Sequence, residues 1–279
     1  MEQFSSGDIW FAFLLTLLAG ISTGIGAVIA FMFKTRSTIP LSIGLGFSAG
    51  VMIYISFEEI LDKSREAFSS FYGGPAGEFL ALFAFVAGIG LTALIDRFIP
   101  EDVNPHELKS PGEVKELRAD SDSSPVRFDL HRTGLFTAIA IAIHNFPEGF
   151  ATFIAALSDP TLGIAIAVAV AIHNIPEGIA VSLPIYHATG NRKRAFWYSF
   201  SSGLVEPLGA IVGFLLLAPF LNEAVMGIIF GMVAGIMIYI SFDELLPAAR
   251  VYGNAHSTLL GIVSGIIVMA VSLILFDLL

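Results

Sequence analysis

Residues 142–151 read AIHNFPEGFA and residues 171–180 read AIHNIPEGIA, identical at 8 of 10 positions at an offset of 29. Each copy begins about 10 residues inside a long apolar run, so its polar groups fall roughly 18 Å along a helix that rises 1.5 Å per residue. Histidine and glutamate are four apart in each copy and share a helix face, which groups His144 with Glu148 and His173 with Glu177. Asn145 and Asn174 stand three before the same glutamates. Only Ser158, Asp159 and Pro160 separate the two runs, so the helices are expected to be adjacent and antiparallel. Their faces would then meet around a pseudo-twofold axis with two imidazoles, two carboxylates and two amide oxygens, a shell suited to metal. Pro147 and Pro176 free the carbonyls of Ile143 and Ile172, and Gly149 and Gly178 allow close helix approach at the same depth.

Outward from this pair, the chain of 279 residues is 55% hydrophobic and 14% charged, with a mean hydropathy of +0.81. A soluble surface needs roughly 25% charged residues. About 20 apolar residues cross a bilayer core, and eight runs qualify: 9–33, 40–61, 77–98, 133–157, 161–186, 195–218, 223–246 and 258–276. The expected fold class is an all-α polytopic membrane protein. The flank before the first run carries Glu2 and Asp8 and no Lys or Arg, unlike a cleaved signal peptide, so that run is expected to remain as a span. The absence of cysteine leaves nitrogen and oxygen as the metal ligands.

With both termini outside, cytoplasmic segments carry 12 of the 14 basic residues and external segments carry Lys63 and Arg65 alone, which is the bias of the positive-inside rule. The connection 99–131 then lies inside, a polar linker in which His106 and His131 offer at most weak metal capture.

Residues 46–61 (GFSAGVMIYISFEEIL) match residues 231–246 (GMVAGIMIYISFDELL) at 11 of 16 positions. These are spans two and seven, which cross in opposite senses. Gly20, Gly26, Ala27 and Phe31 of span one correspond more weakly to Gly203, Gly209, Ala210 and Phe214 of span six, at an offset of 183. The expectation is a 3+2+3 inverted repeat: 1–98 as the first three-helix unit, 132–187 as the central pair, 188–279 as the second unit. Inverted repeats are a frequent plan of secondary transporters.

Span six adds Glu206, followed by Pro207, and its counterpart in span one is Thr23. An acidic residue at the centre of a span costs about 3 kcal/mol, and no Lys or Arg stands at the depth of Glu148, Glu177 and Glu206. Protons or metal cations must neutralise them, and two imidazoles favour metals. The mixed set suits Zn(II), Fe(II), Mn(II), Co(II) and Cd(II), and uptake is expected to depend on pH. Glu58 and Glu59 at the outer end of span two, and Asp243 and Glu244 at the inner end of span seven, are expected at the mouths of the path. Ser48 and Met52 read as packing residues, while His187 at the inner end of span five and His256 in the last cytoplasmic loop are not assigned to the metal. Gly44, Gly46, Gly50, Gly231 and Gly235 read as tight helix contacts.

The paired motifs and Glu206-Pro-Leu-Gly209 resemble those of the ZIP family of divalent metal transporters, in particular its bacterial and archaeal branch. The resemblance extends over all eight spans. It implies a binuclear centre, one site drawing on His144, Glu148, His173 and Glu177, the other on Asn145, Glu148, Asn174, Glu177 and Glu206. It also implies uptake toward the cytoplasm, elevator-like or rocking motion of spans one, four, five and six against the rest, and homodimerisation in the inner or plasma membrane. No catalytic cofactor and no nucleic-acid partner are expected. Two competing classes use similar groups. A metal-selective channel would differ in its flux, and an intramembrane metalloenzyme would carry an HExxH or a nucleophile beside an open metal position; no HExxH occurs and no such nucleophile is obvious in the sequence.

Overall fold

A computed structural model describes residues 4–32, 39–97 and 124–277, and every element among them is helical. The chain runs through α1 (Ser6–Met32) and α2 (Ile39–Ile55), a π-helical turn at Ser56–Ile60, α3 (Leu61–Tyr72) and α4 (Gly74–Asp96). It continues as α5 (Ser124–Ser158), α6 (Pro160–Thr189), α7 (Arg192–Gly203) and α8 (Val205–Leu217), which closes in a 3-10 turn at Ala218–Phe220. Then follow α9 (Glu223–Ile240), a second π-helical turn at Ser241–Leu245, α10 (Leu246–Tyr252) and α11 (Ala255–Asp277).

Among the described residues, seven helices are long and apolar enough to cross a membrane: Ser6–Met32, Ser42–Tyr72, Gly74–Asp96, Pro160–Ile179, Arg192–Phe220, Glu223–Val251 and Ala255–Leu275. The fourth expected span, 133–157, falls within α5, several of whose side chains lie outside the described residues. The outer faces of α4 and α11 expose Phe79, Phe83, Leu259 and Leu260. Apolar surface of this extent is at home in lipid. The protein is a multi-pass membrane protein.

Local chemistry sets the breaks. Asp159 caps α6, its Oδ1 accepting from the Thr161 and Leu162 amides at 2.8 and 3.3 Å, and Pro160 occupies the first helical turn, where its missing N–H is harmless. Asn191 and Asn222 cap α7 and α9 in the same way, accepting from the Arg194 and Val225 amides. Gly73, at φ 85°, turns the chain between α3 and α4.

Span two departs from the sequence expectation. It does not end at Leu61 but continues to Tyr72 as a polar-looking helix, because Ser64, Ala67 and Phe68 bury one face against α9 while Lys63, Arg65 and Glu66 occupy the other. Glu58 and Glu59 therefore sit at the π-turn within a continuous helix and not at its outer end. Asp243 and Glu244 likewise sit at the second π-turn, with α10 continuing beyond them. There the Tyr239 hydroxyl approaches Asp96 Oδ2 at 3.5 Å.

The helices pair closely as α1 with α6, α5 with α8, α2 with α11, and α4 with α9, and α5 packs along α6. A Cβ on Gly50 would fall on the Ile262 carbonyl, and one on Gly235 on the Phe85 carbonyl, so backbones touch at these crossings. Gly46 and Gly231 are similarly crowded. Gly44 is not: its nearest neighbour is Pro176 Cγ at 3.9 Å, ordinary contact rather than the tight crossing expected of it.

Candidate metal centre

α5 and α6 run on through Pro147 and Pro176, while the chain breaks at Leu204 between α7 and α8. Pro207 cannot donate to the Gly203 carbonyl, which loosens that turn directly before Glu206. Four helices then converge. A Cβ on Gly178 would strike the Thr23 carbonyl and one on Gly26 the Ile175 carbonyl, bringing α1 and α6 together. A Cβ on Gly149 would strike the Glu206 carbonyl and one on Gly209 the Phe146 carbonyl, bringing α5 and α8 together. The Ser199 hydroxyl lies across the first crossing, 3.2 Å from the Thr23 carbonyl and 3.1 Å from the Gly178 carbonyl, and donates there.

Inside this convergence Asn145, Glu148, His173, Asn174, Glu177 and Glu206 are all buried, none more than 4% exposed. His173 Nε2 lies 2.9 Å from Glu148 Oε1. The amide of Asn145 donates to the Ser202 carbonyl at 3.2 Å, and that of Asn174 to the Ala19 carbonyl at 3.1 Å. Asn174 Nδ2 also donates to Glu206 Oε1. A carbonyl accepts only, so these bonds fix which end of each amide is nitrogen. The Oδ1 atoms of both asparagines are left as buried acceptors without a hydrogen-bond partner, as is Glu206 Oε2. Glu206 also lies within electrostatic reach of Glu148 and Glu177. Buried oxygens of this kind are destabilising until something positive meets them, and among the described residues no lysine or arginine is buried.

Among the described residues no three His, Asp or Glu side chains gather at metal-binding spacing. Among the close pairs at this depth are His173 with Glu148 and Asn174 with Glu206. His144 lies on α5, but its side chain is outside the described residues, as are the side chains of His131 and His187, while His106 falls wholly outside them. Ser48 approaches the site from α2, its hydroxyl 3.4 Å from the His173 carbonyl, and Met52 is buried in the core. His256 is exposed in the first turn of α11. Sequence reasoning did not single out Thr152, which stands four residues after Glu148 and lines a small cavity with Glu148 and His173. The repeat of the helical i, i+4 spacing past Glu148 is the signal that points to it.

A multi-pass protein with carboxylate, imidazole and amide groups buried among its helices has the build of a membrane carrier for cations. The sequence profile of the ZIP Zinc transporter family matches residues 100–273, and the chain belongs to that family. It is 58% identical to the zinc transporter ZupT of Oceanobacillus iheyensis over 95% of this chain and 97% of that protein. Its identity to the ZupT proteins of Campylobacter jejuni and Clostridium perfringens is 54% and 52%, covering 97% and 96% of this chain and 98% and 97% of theirs. Membership places the chain among secondary transporters of divalent metal ions and not among enzymes.

Proposed function

We propose that this protein takes up divalent metal ions, chiefly Zn(II) with Fe(II), Mn(II), Co(II) and Cd(II) as further cargo, by alternating access at an intramembrane binuclear site. The observation that carries this reading is the His173–Glu148 pair, buried beside two asparagines whose amide nitrogens are engaged and whose oxygens are available. One ion would draw on His144, Glu148, His173 and Glu177. The second would draw on Asn145, Asn174 and Glu206 together with the shared carboxylates of Glu148 and Glu177. Borderline imidazole with hard oxygen holds Zn(II) without thiolate, and amide and carboxylate ligands keep binding weak enough for release.

The architecture we assign is eight spans in a 3+2+3 inverted repeat, α5 supplying the fourth. Its support is that the contacts repeat: the Gly26 and Gly178 crossing at Thr23 and Ile175 has a counterpart in Gly209 and Gly149 at Glu206 and Phe146, each pair related by 183 or 29 residues. The asparagine bonds to Ala19 and Ser202 obey the same offsets. In this reading 1–98 and 188–279 are the two three-helix units, 132–187 the metal-binding pair and 99–131 a cytoplasmic connection, which is not loop throughout because its last residues, 124–131, already form the start of α5. The distribution of basic residues supports termini outside the inner or plasma membrane. Homodimerisation rests on the family resemblance alone.

The test is metal uptake by reconstituted vesicles containing wild type or the variants H144A, E148A, H173A, E177A and E206A. Loss of uptake in the histidine and glutamate variants is expected. Undiminished transport by all five would remove this path, and normal transport by E206A alone would leave a single-ion carrier.

A further inference from the structure

Hydroxyls in the middle of a helix ordinarily satisfy themselves by donating to a carbonyl three or four residues earlier. Thr16, Ser56 and Ser241 do so in this protein, at distances of 3.0, 2.6 and 2.7 Å. Among the described residues, the buried hydroxyls without a partner are those of Thr23 and Thr152. Thr23 is packed into the crossing with Gly203, where backbone contact accounts for its position. Thr152 has no such account. It is fully buried, and it stands one helical turn, about 6 Å, beyond Glu148 toward the Asp159 turn.

The cavity it lines has Glu148, Thr152 and His173 as its polar residues, and the remaining wall is apolar, including Ile55 of α2 and Val233 and Met237 of α9. The equivalent position in the second motif, 29 residues on, is Val181, equally buried. A branched side chain is therefore what this register packs, and the hydroxyl at Thr152 is an addition that packing does not require. A buried hydroxyl with no partner is destabilising, whereas a methyl group of the same shape is not.

We infer that Thr152 is a further ligand-side residue of the transport path: its Oγ1 gives a neutral oxygen to the divalent cation, or to a water the cation retains, on the Asp159 side of the His173–Glu148 pair. The cation arrives or leaves by this face still partly hydrated, and a hydroxyl replaces a water at little change in charge. The inference rests on the reading that ions pass His173 and Glu148.

The experiment compares Zn(II) uptake by vesicles containing full-length wild type, T152V, T152S and H173A, with the melting temperature of each purified protein measured in chelator. T152V is expected to raise KM roughly three- to tenfold, the range one hydrogen bond spans, with kcat changed less than about twofold and a melting temperature equal to or above wild type. T152S, which keeps the hydroxyl, is expected to restore KM. A wild-type KM in T152V, equal damage in T152V and T152S, or a T152V protein that melts lower than wild type would each overturn the assignment by reducing Thr152 to a packing residue. If H173A also transports as wild type, the path itself fails; if H173A is impaired while T152V is not, only the role of Thr152 falls.

Discussion

His173 Nε2 lies 2.9 Å from Glu148 Oε1, so the imidazole of the second motif meets the carboxylate of the first across the α5 and α6 interface. Two residues this close are expected to act as one unit. Removing either should disable the same function, and removing both should do little more. We expect H173A and E148A each to lower Zn(II) uptake at least about tenfold, and the double variant to be no worse than the more impaired single. Initial rates in vesicles, normalised to reconstituted protein, decide this; losses that multiply in the double variant would mean the two residues act separately.

Burying Glu148, Glu177 and Glu206 opposes folding unless protons or, as proposed, cations neutralise them. The triple variant E148Q/E177Q/E206Q should melt higher than wild type in chelator. Zn(II) should stabilise wild type by about 2.7 kcal/mol at a hundredfold excess over Kd and leave the triple variant unmoved. A thermal scan with and without Zn(II) reads both; a triple variant that still responds to Zn(II) would place the ions elsewhere.

G178A and G149A should each destabilise by about 1–3 kcal/mol or more, because the added methyl lands on the carbonyls of Thr23 and Glu206. G44A has its nearest neighbour at 3.9 Å and should be tolerated. The yield of monodisperse protein after heating separates the two cases. Equal tolerance would mean that the helices are not in backbone contact.

The two ions of the proposed centre differ in their dependence on Glu206 and the asparagines. Zinc bound per chain, measured by elemental analysis after equilibrium dialysis, should fall from two to one in E206A and in N145A/N174A, while H173A should lose the other ion. Unchanged stoichiometry in E206A would argue against a second site.

The spans were legible because lipid selects long apolar runs and leaves charge to the connections. The central helices could be read further because two matching ten-residue stretches are hard to explain by anything but a shared site. Less visible was α3, where Lys63, Arg65 and Glu66 suggest a loop until the buried face of Ser64, Ala67 and Phe68 is seen. The π-turns at Ser56–Ile60 and Ser241–Leu245 occupy the duplicated Ser-Phe-acid-Glu segments. The duplication marks these segments as related, but one-dimensional spacing does not disclose an extra residue in a turn. The amide bonds of Asn145 and Asn174 to Ser202 and Ala19 were also out of reach, since they depend on which backbone carbonyls the neighbouring helices present.

Contact of main chain against main chain at Gly26, Gly149, Gly178 and Gly209 has a consequence for how such a protein can change its diet of ions. The spacing of the four helices at those crossings is set by peptide groups and cannot be tuned gradually by trading one side chain for a bulkier one there. For the proposed site, a shift in preference between metals is then expected to come from exchanging donor atoms, so new selectivity should appear as substitutions at a few ligand positions inside an unaltered frame.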